Sequence, residues 1–324
     1  MRAVSEWSVG ETDVLARAVV RAPSVGNTQP WALRLPGGEA LLYAVAGRGP
    51  GDGASAPDVA ISCGAAVANV ELGMRVLGRD TEIHLLPDHT EPDLLARVRA
   101  RGPRVPSEVD LHRFSAIARR CSYRYPFLSQ PVSDCDRKDL ATAAAYDGVQ
   151  GLLVAGEEQA GVLAEVQACA ASYAQATPDD HGEVPLWTSG GEWPHPRAGD
   201  VARLGTLGSS LPWAGLVRPG TTVPDPQRLR ERLSAETLLV FAAPEDTRID
   251  HLRTGIAMEH AWLAAVDMGL AAAVQTRPLH RPRVRQVLVD RLGITGVPQL
   301  LMRVGHPAGY VPWGAYRMPC PLRS

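Results

Sequence analysis

The chain has 324 residues, enough for one large domain or two modest ones, and its 45% apolar and 21% charged content excludes disorder along its whole length. Lys and Arg number 33 against 35 Asp and Glu, a formal net charge of -2, so the basic excess of a general nucleic-acid binder is missing. The five cysteines are odd in number and include no C-x-x-C pair, which suggests neither a disulfide framework nor a zinc site.

The N-terminal residues lack a secretory apolar core, and Glu11 and Asp13 precede the first apolar run, so a cytoplasmic protein is expected. No membrane span is expected either, because the Ala-rich stretch near 255–270 is broken by Glu259, His260 and Asp267. In chain order, Thr12 is expected to cap a helix through Leu15, Ala16, Val19 and Val20 that stops at Ala22-Pro23. A polar loop, Ser24 to Pro30, leads into alternating Trp31-Ala32-Leu33-Arg34-Leu35. A Gly37-Gly38 turn and Leu41 to Ala44 complete a predicted hairpin. A helix from about Cys63 to Leu77 is apolar or small on almost every face and so belongs in the interior. Gly78 stops it, and a short strand follows around Ile83 to Leu86.

The same order returns later. Leu238 to Ala243 reads as a strand, Thr254 to Met268 as a buried helix stopped by Gly269, and Ala271 to Val274 as a strand. A slide of 191 residues superposes Gly64 on Gly255, Ala66 on Ala257, Leu72 on Leu263, Gly78 on Gly269 and Pro87 on Pro278. With a one-residue shift Pro92 meets Pro282, ahead of another helix. Chance matching of two Ala-rich helices would explain the identities alone; the repeated element order favours an internal duplication. Residues 177–226 differ from the rest: eight prolines, eight glycines and Trp187, Trp193 and Trp213, without periodicity. A long insertion of this kind is a lid or a linker, and the tryptophans favour a lid.

Two clusters carry chemistry. Arg119-Arg120-Cys121-Ser122-Tyr123-Arg124 combines guanidiniums and a hydroxyl, either as a phosphate receptor or as a solvated basic turn. Ala22-Pro23-Ser24-Val25-Gly26-Asn27-Thr28-Gln29-Pro30-Trp31 offers amides and hydroxyls to the edge of a planar ring or a polyol, or serves as a plain helix-to-strand connection. Cys121 is either a reactive thiolate or a small packed residue, and Glu259-His260 either an acid–base pair or satisfied interior polar groups. No HxxxH or HExxH spacing supports a metal, and neither G-x-G-x-x-G after a strand nor a P-loop occurs.

Together, Ala22 to Trp31 and Arg119 to Phe127 resemble the nitroreductase superfamily of FMN proteins. They are most similar to its actinobacterial Acg-type members, in which two nitroreductase-like units are fused in one chain. Ile61 to Ala66 and Pro298 to Gly305 share the likeness. The resemblance implies an α+β fold, a mainly antiparallel sheet with flanking and two buried central helices, built as a pseudo-dimer of units 1–108 and 109–324. It implies one FMN per chain, with Arg120, Ser122 and Arg124 at the phosphate and Pro23, Ser24 and Asn27 at the ring and ribityl chain. It further implies Val274, Gln275 and Thr276 beside the reactive face, and Arg317 as an additional basic residue.

The first half lacks its own basic motif and the second its own P-S-x-x-N, so a second flavin site is expected to be absent. The expected function is flavin-mediated hydride or electron transfer with a small organic substrate, with NADH or NADPH as a transient reductant and no catalytic side chain. The site would be complete in one chain, as a monomer or a higher oligomer. Alternatives on the same fold are non-catalytic FMN storage, oxidative tailoring of a peptide or natural product, and oxygen-dependent attack on the flavin.

Overall fold

The computed structural model describes residues 6–45, 55–123, 127–176 and 225–308. The lid-like segment, apart from its last two residues, together with Arg124 and Arg317, lies outside them.

Helix α1 (Val9–Val20) precedes the hairpin β1 (Trp31–Arg34) and β2 (Glu39–Ala44), then α2 (Ala56–Val76), β3 (Arg79–Leu85) and β4 (Leu94–Pro103). Two helices, α3 (Glu108–Arg119) and α4 (Asp134–Ala143), lead to β5 (Gln150–Leu153). After it come α5 (Gly156–Ala176), α6 (Pro226–Ser234), β6 (Thr237–Ala243), α7 (Arg248–Asp267), β7 (Ala271–Gln275), α8 (Pro282–Leu292) and β8 (Val297–Gly305). The strands form two four-stranded sheets, β1-β2-β4-β3 and β5-β6-β8-β7, antiparallel throughout. This is the expected α+β architecture, and the second sheet repeats the strand order of the first.

Between the sheets lie α2 and α7, buried on nearly every face, as their uniform apolarity predicts. They cross at Gly64 and Gly255, where no side chain keeps the backbones apart. Gly78 (φ 79°) and Gly269 (φ 77°) follow the two helices in the left-handed conformation that glycine adopts without strain. By length and composition α2 could cross a membrane, with mean hydropathy 1.3, contrary to the expectation that no segment would; 78% of that window is buried inside the fold, which accounts for its apolarity.

The central helices start earlier than their apolar patterns suggest. Ser55 caps α2 by accepting from Asp58 N, with a proline in the first turn, and Thr247 caps α7 in a capping box with Asp250. Likewise Ser8 with Glu11, not Thr12, caps α1. Asp58 and the polar turn Arg248–Arg253 hide these starts from a hydrophobic pattern. The residues after Pro92 form β4 where a helix was expected. Leu94 to Arg101 alternates buried and more exposed positions along most of its length, and period 2 prevails over the proline match.

Candidate functional site

The loop after α1 bends sharply because Ala22-Pro23 cannot prolong the helix. Gly26, Asn27 and Gln29 are left-handed, with φ of 56°, 55° and 48°. For a glutamine that conformation costs about 1–2 kcal/mol, so the loop's surroundings must hold it. Internal bonds do part of this: Gln29 N donates to Ser24 Oγ at 3.0 Å, Thr28 Oγ1 to Val25 O at 2.8 Å and Gln29 Nε2 to Val20 O at 3.3 Å. The half-buried Asn27 carboxamide makes no hydrogen bond among the described residues and is available to a ligand.

A polar chain ties this loop to the second half of the sequence. Val25 N donates to Ser62 Oγ at 3.2 Å, and Ser62 donates to Asp58 O at 2.7 Å in the second turn of α2. The buried Asp58 carboxylate meets His280 Nε2 at 3.0 Å, and the Thr276 side chain lies near enough to help hold it ionised. Burial raises the Asp58 pKa, but His280, Thr276 and Ser55 together outweigh it and hold the carboxyl below its ordinary value. Ser55 Oγ stands 3.4 Å from the same His280 nitrogen. Val274 and Gln275 end β7 immediately before Thr276, and Gln167 Nε2 of α5 donates to Gln275 Oε1 at 3.5 Å. Pro23 to Asn27 and Val274 to Thr276 therefore flank the same end of α2.

The basic motif divides. Arg120, expected at a phosphate, is turned into the interior and only 2% exposed. Its Nη2 donates to Arg21 O at 2.9 Å, its Nε lies 3.6 Å from Glu259 Oε1 and its guanidinium sits over the Trp262 ring at 4.5 Å. Burial pushes the Glu259 carboxyl up to about 7 against the pull of Arg120. Ser122, in contrast, is exposed: its segment lies parallel to the start of β7, with Tyr123 N donating to Ala272 O at 2.9 Å. Arg120 holds the backbone just before Pro23, and Ser122 lies on the edge of β7.

The reactive-thiolate reading of Cys121 is not supported, because burial raises its thiol despite the neighbouring Arg120. Glu259 and His260 do not form a pair. The carboxylate faces Arg120, while the imidazole lies edge-on to Tyr146 and is pushed down to about 4 by burial. Asp58, Ser62 and His280 were not singled out as site residues. A visible signal existed for the first, since Ser55 and Asp58 have the spacing of a helix cap.

The nitroreductase family model matches residues 229–306, from α6 through β8. Across 300 residues the chain is 28% identical to the Mycobacterium tuberculosis protein named "Putative NAD(P)H nitroreductase Rv3131", covering 88% of this chain and 82% of that one. It is 26% identical over 312 residues to "Putative NAD(P)H nitroreductase acg" of the same organism, covering 91% and 89%. Among solved structures, a nitroreductase with bound FMN from Desulfitobacterium hafniense matches 64% of this chain and 94% of its own at 17% identity and a TM-score of 0.43. The likeness to Acg-type nitroreductases that the motifs suggested thus holds over most of the chain, and it supports an oxidoreductase.

Proposed function

We propose that the chain is an FMN-dependent oxidoreductase of the nitroreductase type, an internal duplication of units 1–108 and 109–324 with one flavin site between them. The observation that carries this reading is the polar chain from Val25 through Ser62 and Asp58 to His280, just past β7, which draws the loop of one half and the β7 end of the other to one place. The donor set suits FMN. The Asn27 carboxamide and Ser24 hydroxyl fit a heteroatom edge or a polyol, the end of β7 offers backbone to a ring, and Ser122, with Arg124 and Arg317, suits a phosphate.

Bound there, FMN would supply hydride or electron transfer, with NADH or NADPH as donor and a small organic molecule as acceptor. The protein's part is binding, orientation and exclusion of water. Arg120 serves this scheme from inside, by fixing Arg21 and hence the entry to the flavin loop. Anaerobic mixing of the FMN-loaded protein with NADH or NADPH tests turnover: bleaching of the flavin absorbance supports an oxidoreductase. A flavin that stays oxidised with both donors counts against it and favours storage.

A further inference from the structure

A cavity of about 430 Å³ opens away from the candidate flavin residues, between β3, β4, the turn before β5 and the start of α7. Its walls are Ile83, His84, Leu85 and Pro87 at the end of β3, Tyr146 and Asp147 in the turn before β5, and Ile249 and Arg253 in the first turns of α7, with Arg97 and Arg99 of β4. Under the 191-residue slide, Ile83, His84 and Leu85 fall on Val274, Gln275 and Thr276, Pro87 on Pro278, Ile249 on Asp58 and Arg253 on Ser62. The turn at Asp147 and Gly148 precedes β5 as Gly26–Asn27 precedes β1 in the other sheet, and it is also left-handed, with φ of 41° and 88°. One offset thus carries five of the ten lining residues onto residues of the candidate flavin site, and a sixth onto Pro278.

The chemistry has changed between the two places. Where the flavin site has Thr276, Asp58 and Ser62, this cavity has Leu85, Ile249 and Arg253. Its lining holds three guanidiniums and one carboxylate, Asp147, which Arg253 meets at 2.8 Å, and Asp250, one turn back on α7, lies 3.7 Å from the same guanidinium. Glu39 lies just behind, 2.7 Å from Arg99 Nε but 3.7 Å from Arg97 Nε. The Nε atoms of Arg97 and Arg253 are buried without a hydrogen-bond acceptor. The apolar flank of Ile83, Leu85, Ile249 and the Tyr146 ring faces the same space. Partly exposed guanidinium donors beside an apolar wall, at the start of a helix, select an anionic head on an apolar body.

We propose that this cavity is a binding site for a small organic anion, an aromatic carboxylate or phosphoester, and not for a second FMN. The proposal is independent of whether the other site turns over its flavin. Calorimetric titration of the full chain in saturating FMN, with 2-naphthoate, 2-naphthyl phosphate and neutral 2-naphthamide as probes, tests it. Naphthoate or naphthyl phosphate is expected to bind once per chain, and the amide about tenfold more weakly or worse. Whichever anion binds more tightly identifies the head group. Arg253→Met should bring the anions down to the level of the amide, and Ile249→Trp, by filling the cavity, should abolish all three, with FMN stoichiometry unchanged in both variants. Equal affinity for anion and amide, anion binding untouched by both substitutions, or displacement of FMN by the probe would overturn the proposal.

Discussion

Gly64 and Gly255 meet reciprocally at the centre of the molecule. A Cβ on Gly64 would lie 2.1 Å from Leu252 O, and one on Gly255 would lie 2.0 Å from Ile61 O. Residues 61 and 64 are related to 252 and 255 by the same 191-residue slide, so each helix presents the same patch to the other, as in a two-fold interface. Because the obstructing atoms are backbone, Gly64→Ala or Gly255→Ala must push the helices apart. Each should cost about 1–3 kcal/mol or more. The double variant should cost less than the sum, since one displacement relieves both clashes. Denaturant unfolding of the four proteins checks this; costs that simply add would deny the shared contact.

The inward Arg120 predicts a particular pattern of flavin affinities. If it works by holding Arg21, Arg120→Ala should weaken FMN and riboflavin by the same factor. Arg124→Ala should weaken FMN by about ten- to a hundredfold and leave riboflavin unchanged, since only FMN carries a phosphate. A loss in Arg120→Ala confined to FMN would place that guanidinium at the phosphate after all. Melting temperatures separate misfolding from weakened binding.

Glu259 predicts a dependence of stability on pH. Its folded-state pKa, about 7, lies above the ordinary carboxyl value of 4.5, so its protonated form favours folding. That contribution is full below pH 4.5 and is lost as pH rises towards 7. His260, pushed down to about 4, acts in the opposite sense across part of the same range, so the comparison must be with a variant. Relative to Glu259→Gln, the parent should lose stability between pH 4.5 and 7, by about 3 kcal/mol if the full shift is realised. Parallel stability curves in that window would contradict the assignment.

Much of the architecture was legible because it rests on periodicity. The hairpin, both central helices and the glycines that end them follow from apolar spacing and left-handed stops. Helix starts were less visible, because caps such as Ser55 and Thr247 act through polar residues that interrupt an apolar pattern. Within the candidate site, the two clusters were visible as strings of donors. The direction of a single side chain was not: Arg120 and Ser122 are two residues apart, yet one faces the core and the other faces out. The Asp58–His280 contact joins residues 222 positions apart, and no local motif reports it. The cavity beside β4 left a trace in Arg97 and Arg99, two positions apart on one face of that strand, but it takes the fold to bring Arg253 beside them.

The proposed flavin site is single and is completed within one chain by residues of both halves. Fluorescence titration of the apo-protein with FMN, at a protein concentration fixed by amino-acid analysis and with the mass of the complex measured by light scattering, tests it most directly. One FMN per chain, with an affinity that does not change as the protein is diluted, is the predicted result. Two per chain, none, or binding only when chains associate would contradict it.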